Sequence, residues 1–249
     1  MRTGILLLIT ALFLNFSGCA THKESVTSPP ESLEKDYNFY LNQGSLLIRK
    51  ADYSKAIDQI NKAIALKPDA SQAYNLLGIA YFFERKYNLA MEKFEKALDL
   101  DSSYAQAYGN LGNAYLMRQQ FEEAKKMFNK ALSISPNLVS ANYSLGALLL
   151  NQGKIEEGMR YISRGIELDP NFLERHKALV AEFSSPGFNS PEAYFVFARA
   201  YAAIDDIEKT VEYLKKAEKA GFKDWYRIEE EKEFEKIRQD PRIKQYIKK

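Results

Sequence analysis

The sequence predicts an all-α fold: an α-solenoid of helix-turn-helix repeats with a C-terminal helical cap. Three observations predict it. A turn-forming column recurs at Pro68, Ser102, Pro136 and Pro170, each 34 residues from the last. A glycine column follows the same period through Gly44, Gly78, Gly112 and Gly146. Between them run columns of fixed size: Tyr40, Tyr74, Tyr108 and Asn142; Leu47, Tyr81, Tyr115 and Leu149; Ile60, Phe94, Phe128 and Ile162 are large, while Ala56, Ala90, Ala124 and Gly158, and Ala63, Ala97, Ala131 and Gly165, are small. Self-similarity at one period over several columns is the mark of a repeat architecture, in which each unit buries its apolar face only by stacking on its neighbours.

Each column has a physical cause. Gly and Ala stand where two helices cross closely, because a larger side chain would push them apart. Aromatic residues fill the holes between those crossings. Proline lacks an amide donor, so it marks the turns where one helix ends and the next begins. Four repeats follow, residues 37–70, 71–104, 105–138 and 139–172. In the fourth, Gly158 and Gly165 replace Ala, which makes its second helix the least favoured by intrinsic propensity. Residues 173–190 start like another first helix and break at Ser184–Ser190, a run of turn formers. A degenerate repeat resumes at 191–221, with Tyr194, Phe197, Ala198, Tyr201, Leu214 and Ala217 in the expected columns and Thr210 in place of a small Ala. Residues 222–249 leave the period. Their spaced apolar anchors (Trp225, Tyr226, Phe234, Ile237, Ile243, Tyr246 and Ile247) suit short capping helices, which a solenoid needs to cover its last apolar face.

The order large, Gly, large, Ala, large, Ala, Pro over 34 residues resembles the tetratricopeptide repeat (TPR). The resemblance spans residues 37–221, and the tail, with its Asp240-Pro241-Arg242 turn, is similar to the helices that close many such arrays. It implies a right-handed superhelix whose concave face is lined by the first helix of each pair, and it implies a protein or an extended peptide as the partner held there.

By that register the groove is expected to hold Asn42, Asn75, Ile79, Phe82, Gln106, Asn110, Asn113, Leu116 and Tyr143, and in the later repeat Glu192, Phe195 and Arg199. Asn42, Asn75, Asn110 and Asn113 are the informative ones. A carboxamide both donates and accepts, so it can pair with an extended backbone without reading side chains. This resembles the asparagine ladder of peptide-binding TPR domains, interrupted by Leu76 and Ser144. Phe82, Phe83, Leu116, Met117 and Leu150 offer apolar surface beside it. The charge clamp with which some TPR domains grip acidic chaperone termini is missing: its columns hold Leu41, Ser45, Asn75 and Gln106.

The first 18 residues read as a lipoprotein signal peptide. Arg2 gives the positive start, and Ile5 to Phe16 is an apolar run of about a dozen residues, shorter than the roughly 20 that span a bilayer. Phe16-Ser17-Gly18-Cys19 resembles a bacterial lipobox, in which small residues precede a cysteine whose thiol is acylated; Phe16 departs from the usual Leu. Cys19 is the single cysteine of the chain, so an intramolecular disulfide is excluded. Several acyl chains would anchor the protein to a membrane. Ala20, where Asp would signal inner-membrane retention, favours the outer membrane and its periplasmic face. Residues 19–36 are polar, carry a Pro-Pro pair, and read as a flexible tether.

Charge and composition narrow the function. With 35 basic and 33 acidic residues the chain lacks the basic excess of a nucleic-acid binder. With only His22 and His176 beside one cysteine, a His/Cys metal site is not expected, nor is any cofactor. No Gly-rich phosphate loop, HExxH or GxSxG occurs, so no catalytic residue is assigned. The expectation is a membrane-anchored, non-catalytic scaffold for envelope assembly. Two narrower roles fit it, a pilotin-like factor for secretin and type IV pilus biogenesis and an adaptor for periplasmic hydrolases or proteases; the oligomeric state is open.

Overall fold

The computed structural model describes residues 31–175 and 190–248. The signal segment, Cys19 and the first part of the tether lie outside the described residues, as does the Ser184–Ser190 break up to its last residue.

Helices α1 (Glu31–Arg49) and α2 (Tyr53–Leu66), α3 (Ser71–Phe83) and α4 (Tyr87–Leu100), α5 (Ala105–Met117) and α6 (Phe121–Ile134), and α7 (Val139–Asn151) and α8 (Ile155–Leu168) form four successive hairpins. A short α9 (Phe172–Arg175) follows. A fifth hairpin joins α10 (Pro191–Ala203) to α11 (Ile207–Ala220). The tail comprises α12 (Arg227–Glu230), a 3-10 turn at Lys232–Phe234, and α13 (Pro241–Ile247). Among the described residues there is no strand, and no helix is long and apolar enough to cross a membrane. Each second helix packs on the next first helix, and α10 packs on α8, so the stack continues past the break. Successive first helices also touch one another, α1 on α3, α3 on α5 and α5 on α7. They form the inner layer.

The periodic columns are explained by what they meet. A Cβ on Gly44, Gly78, Gly112 or Gly146 would come within 2.5, 2.5, 2.6 and 2.8 Å of the side chains of Ile60, Phe94, Phe128 and Ile162 respectively. Glycine in the first helix thus makes room for the large residue of the second. Phe94 and Phe128 are almost wholly buried, and burial of one such ring contributes roughly 1.5–3 kcal/mol. The fourth hairpin is the most enclosed. Every residue from Ala141 to Leu150 is buried, and its two unusual glycines are there for space: a Cβ on Gly158 would lie 2.9 Å from the Gly146 carbonyl oxygen, and one on Gly165 would lie 3.0 Å from the Tyr143 ring.

A further column emerges in the turn inside each hairpin. Ala51, Arg85, Gln119, Gly153 and Asp205 all have positive φ, between 58° and 73°. Only the fourth repeat uses the residue for which this region is free of steric cost. Replacing Gln119, which is exposed, by Gly is therefore expected to stabilise the fold by about 0.5–1 kcal/mol, the relief of left-handed strain less the extra entropy of the unfolded chain. An unchanged or lower urea midpoint would refute it.

The start of the array departs from expectation. Residues 31–36, assigned to the tether, are helical and extend α1 backwards. This stretch carries no apolar period. Its helix is held from outside: Glu34 pairs with Lys67 in the turn after α2 and accepts a 3.1 Å hydrogen bond from Asn38, while the Lys67 ammonium sits 4.7 Å from the Tyr37 ring centre. Phe39 and Leu46 are exposed. Their columns hold buried alanines at Ala73 and Ala80, where a preceding hairpin covers them.

Candidate functional site

A cleft of about 570 Å³ opens on the inner layer. The first hairpin contributes Ile48, Arg49, Ala51 and Tyr53; the second Ile79, Phe82 and Phe83; the third Asn110 and Asn113; the fourth Ser140. Phe172 and Arg175 of α9 close its far side. Its apolar wall is aromatic. Phe83 stacks on Tyr53 across the boundary between the first two repeats, with ring centres 5.6 Å apart, and meets Phe82 edge to face at 5.7 Å. Phe82 in turn meets Tyr87 edge to face.

The carboxamides form a partial ladder. Asn75 Nδ2 donates to the Tyr104 hydroxyl at 3.3 Å, and Asn110 Nδ2 donates to Asn75 Oδ1 at 2.9 Å. Burial holds the Tyr104 hydroxyl above the usual phenol range, and the bond from Asn75 lowers it in part. Tyr104 therefore remains a neutral acceptor at physiological pH. Beyond Asn110 the ladder stops. Asn113 is 94% buried, and its Oδ1 has no hydrogen-bond partner. The enclosed Oδ1 costs about 1–3 kcal/mol, and the atom of this carboxamide left open to the cleft is the Nδ2 donor.

Of the residues expected in the groove, Ile79, Phe82, Asn110 and Asn113 come together here. Asn75 is next to them, but both ends of its carboxamide are engaged within the chain. Asn42 and Gln106 are exposed and do not line the cleft. Two expectations are corrected. Tyr143 is core: it stacks on Phe172 with ring centres 5.2 Å apart and donates to the Asp169 carbonyl oxygen at 3.4 Å. Phe172, in the same column as Ala70, Tyr104 and Leu138, is large enough to cover it. Leu116 packs with the cluster of Phe128, Leu145, Leu148 and Leu149 between the third and fourth repeats. Arg49 and Tyr53 were missed because they stand at the turn between helices rather than on the face of a first helix. Tyr53 did leave a signal: Tyr53, Tyr87, Phe121 and Ile155 form their own column, each the first residue of a second helix.

In the fifth repeat the chain's own tail lies on the first helix. Glu192 accepts a 2.7 Å bond from Arg227. The Arg227 guanidinium lies 4.6 Å from the Phe195 ring centre. Phe222 stacks on Phe195 at 4.3 Å, with Phe234 tilted at 5.7 Å. Arg199, 96% buried, pairs with Glu231 at 2.8 Å, Glu156 at 3.1 Å and Glu233 at 3.5 Å. The turn at Asp240 serves the same docking: Asp240 caps α13 by accepting from the Arg242 amide, Pro241 opens the helix, and Arg242 reaches Glu208 of α11 at 2.7 Å. Among the described residues no cluster of three or more His, Cys, Asp or Glu could hold a metal ion.

The family model for the tetratricopeptide repeat matches residues 37–70, 105–138, 139–172 and 191–220, and the TPR repeat model matches residues 85–119. The chain belongs to the tetratricopeptide-repeat family. Solved TPR structures share its fold. Pseudomonas aeruginosa PilF superposes with a TM-score of 0.53 at 17% identity, over 87% of this chain and 98% of that one. A thermophilic TPR protein of Thermus thermophilus gives 0.53 at 18% identity, over 76% and 93%. The O-GlcNAc transferase of Thermobaculum terrenum gives 0.52 at 21% identity, over 55% of this chain and 27% of that one. These identities establish a common fold. A search of curated proteins finds no match.

Proposed function

We propose that this TPR protein is a non-catalytic, membrane-anchored scaffold that holds an extended segment of a partner protein in the cleft between its first four repeats. The observation that carries the reading is the cleft itself: an aromatic wall of Tyr53, Phe82 and Phe83 beside the carboxamides of Asn110 and Asn113. Extended segments present unpaired backbone carbonyl groups, which the Asn113 amide nitrogen can meet, and apolar side chains on such a segment have the aromatic wall beside them. The anchor is Cys19, whose lipobox-like setting supports a location in the bacterial cell envelope, and Ala20 after it favours the outer membrane.

Membrane crosslinking tests both halves. Intact protein is expected to crosslink a partner that Phe83→Ala loses while keeping its circular dichroism, and Cys19→Ser is expected to leave the membrane fraction. An unchanged set of crosslinked partners in Phe83→Ala moves the binding surface elsewhere. Retention of Cys19→Ser on membranes removes the anchor. Deletion of the protein separates two narrower roles. A pilotin-like role, supported by a lipobox followed by a short array, requires that loss of the protein mislocalise one membrane multimer. An adaptor role requires that it change the activity of soluble periplasmic hydrolases or proteases.

A further inference from the structure

The cleft also carries the chemistry of what it holds. From its charges and its closed ends we infer that the occupant is a short acidic segment with an apolar, preferably aromatic, side chain next to a carboxylate. This inference rests on the groove reading above and names its partner class.

Three features point the same way. The residues lining the cleft include two arginines and no carboxylate. Arg175 is engaged by Asp169. Arg49, exposed in the last turn of α1, has no ion pair among the described residues. It stands at the mouth of the cleft as a free guanidinium, which favours a carboxylate and repels a basic segment. Beside it, Tyr53 and Phe83 present stacked rings, 5.6 Å apart and 10° from parallel, a surface suited to a flat apolar side chain. Deeper in, the Asn113 carboxamide leaves its Nδ2 donor open to the cleft while its Oδ1 is enclosed. A backbone carbonyl can meet Asn113 while the same residue's side chain lies on the aromatic wall and a neighbouring carboxylate turns to Arg49. The occupant is short because the groove does not continue: Phe172 covers Tyr143 in the fourth repeat, and the tail covers Phe195 in the fifth.

The test uses the full-length chain in detergent and three fluorescein-labelled twelve-residue peptides on one Gly/Ser background. One carries Phe flanked by Asp on both sides; the second replaces Asp by Lys; the third replaces Phe by Ser. Fluorescence anisotropy is expected to show the first bound at least about ten-fold more tightly than either other, a difference of about 1.4 kcal/mol. Arg49→Glu, a surface change, is expected to abolish or reverse the preference for Asp over Lys. Asn113→Leu is expected to weaken the first peptide while the melting temperature holds or rises, because it removes an unpaired buried oxygen. A residue with a purely structural role would not move those two readouts in opposite directions.

Equal or tighter binding of the Lys peptide overturns the inference, as does an unaltered preference in Arg49→Glu. If all three peptides bind alike and all are lost in Phe83→Ala, the charge assignment fails and the groove reading survives. If none binds, the inferred chemistry is wrong, and the groove reading is then decided by the membrane crosslinking. Binding that survives both Phe83→Ala and Asn113→Leu ends the two together.

Discussion

Phe234→Ala will lower the stability of this protein by about 3–5 kcal/mol, the usual range for emptying a buried aromatic site. Phe234 is fully buried although it lies in a charged tail. Its ring sits 5.7 Å from Phe195 of α10, beside Phe222, and in the same cluster as Ile228, Ile243 and Tyr246. The 3-10 turn that presents it also brings in Glu231 and Glu233, the carboxylates that compensate buried Arg199. A tail that loosens removes both at once and leaves Arg199 only the exposed Glu156, and a buried guanidinium that loses its partners is strongly destabilising by itself. The measurement is urea unfolding followed by far-ultraviolet circular dichroism. A loss below about 1 kcal/mol would mean that the turn contributes little to the fold, and the cap would have to be reassigned to α13 alone.

The second large effect is at a crossing where an added side chain would meet backbone. Gly158→Val should destabilise the chain by about 2–3 kcal/mol, the ordinary range for overpacking a well-packed interior. The first atoms a Cβ would meet are the Gly146 carbonyl oxygen at 2.9 Å and Leu150 Cδ2 at 2.9 Å. One of these is backbone of the partner helix and cannot rotate away. A control lies one repeat earlier. At Gly109 the nearest atom to an added Cβ is Leu138 Cδ2 at 3.6 Å, an ordinary contact. Gly109→Ala should therefore stabilise by roughly 0.5–1 kcal/mol through helix propensity. If both substitutions shift the urea midpoint in the same direction, local space is not what selects glycine in these helices.

That contrast shows what the period conveys and where it stops. Gly44, Gly78, Gly112 and Gly146 recur every 34 residues because each faces a large residue in the same helical hairpin. A constraint within one repeat is written once per repeat and is therefore visible. The inner face was legible to the same degree: register alone places Ile79, Phe82, Asn110 and Asn113 on it. Register cannot say what covers a residue. Phe172 lies on Tyr143, and Arg227 and Phe222 lie on Phe195. In the second case the cover comes from chain outside the period. The carboxamide of Asn75 was taken for a free group because its partners, Tyr104 and Asn110, stand 29 and 35 residues away, and nothing in their spacing marks a bond. The helical start at Glu31 was invisible for a related reason. Its stabilising contact, Glu34 with Lys67, is a single ion pair between distant segments.

The docking of the tail onto the fifth repeat has a consequence for synthesis. The residues that bury Phe195, and two of the three carboxylates that pair with Arg199, lie from Phe222 onward, after the fifth repeat. Repeats emerge from the ribosome in order, and a stacked array can begin to assemble before it is finished. The fifth repeat cannot be completed until the segment from Phe222 to Tyr246 arrives. A product cut short before it would therefore expose an aromatic surface at its growing end, with Arg199 left to Glu156 alone, where proteases can reach it. The arrangement that caps the solenoid thus also decides when the fifth repeat becomes resistant.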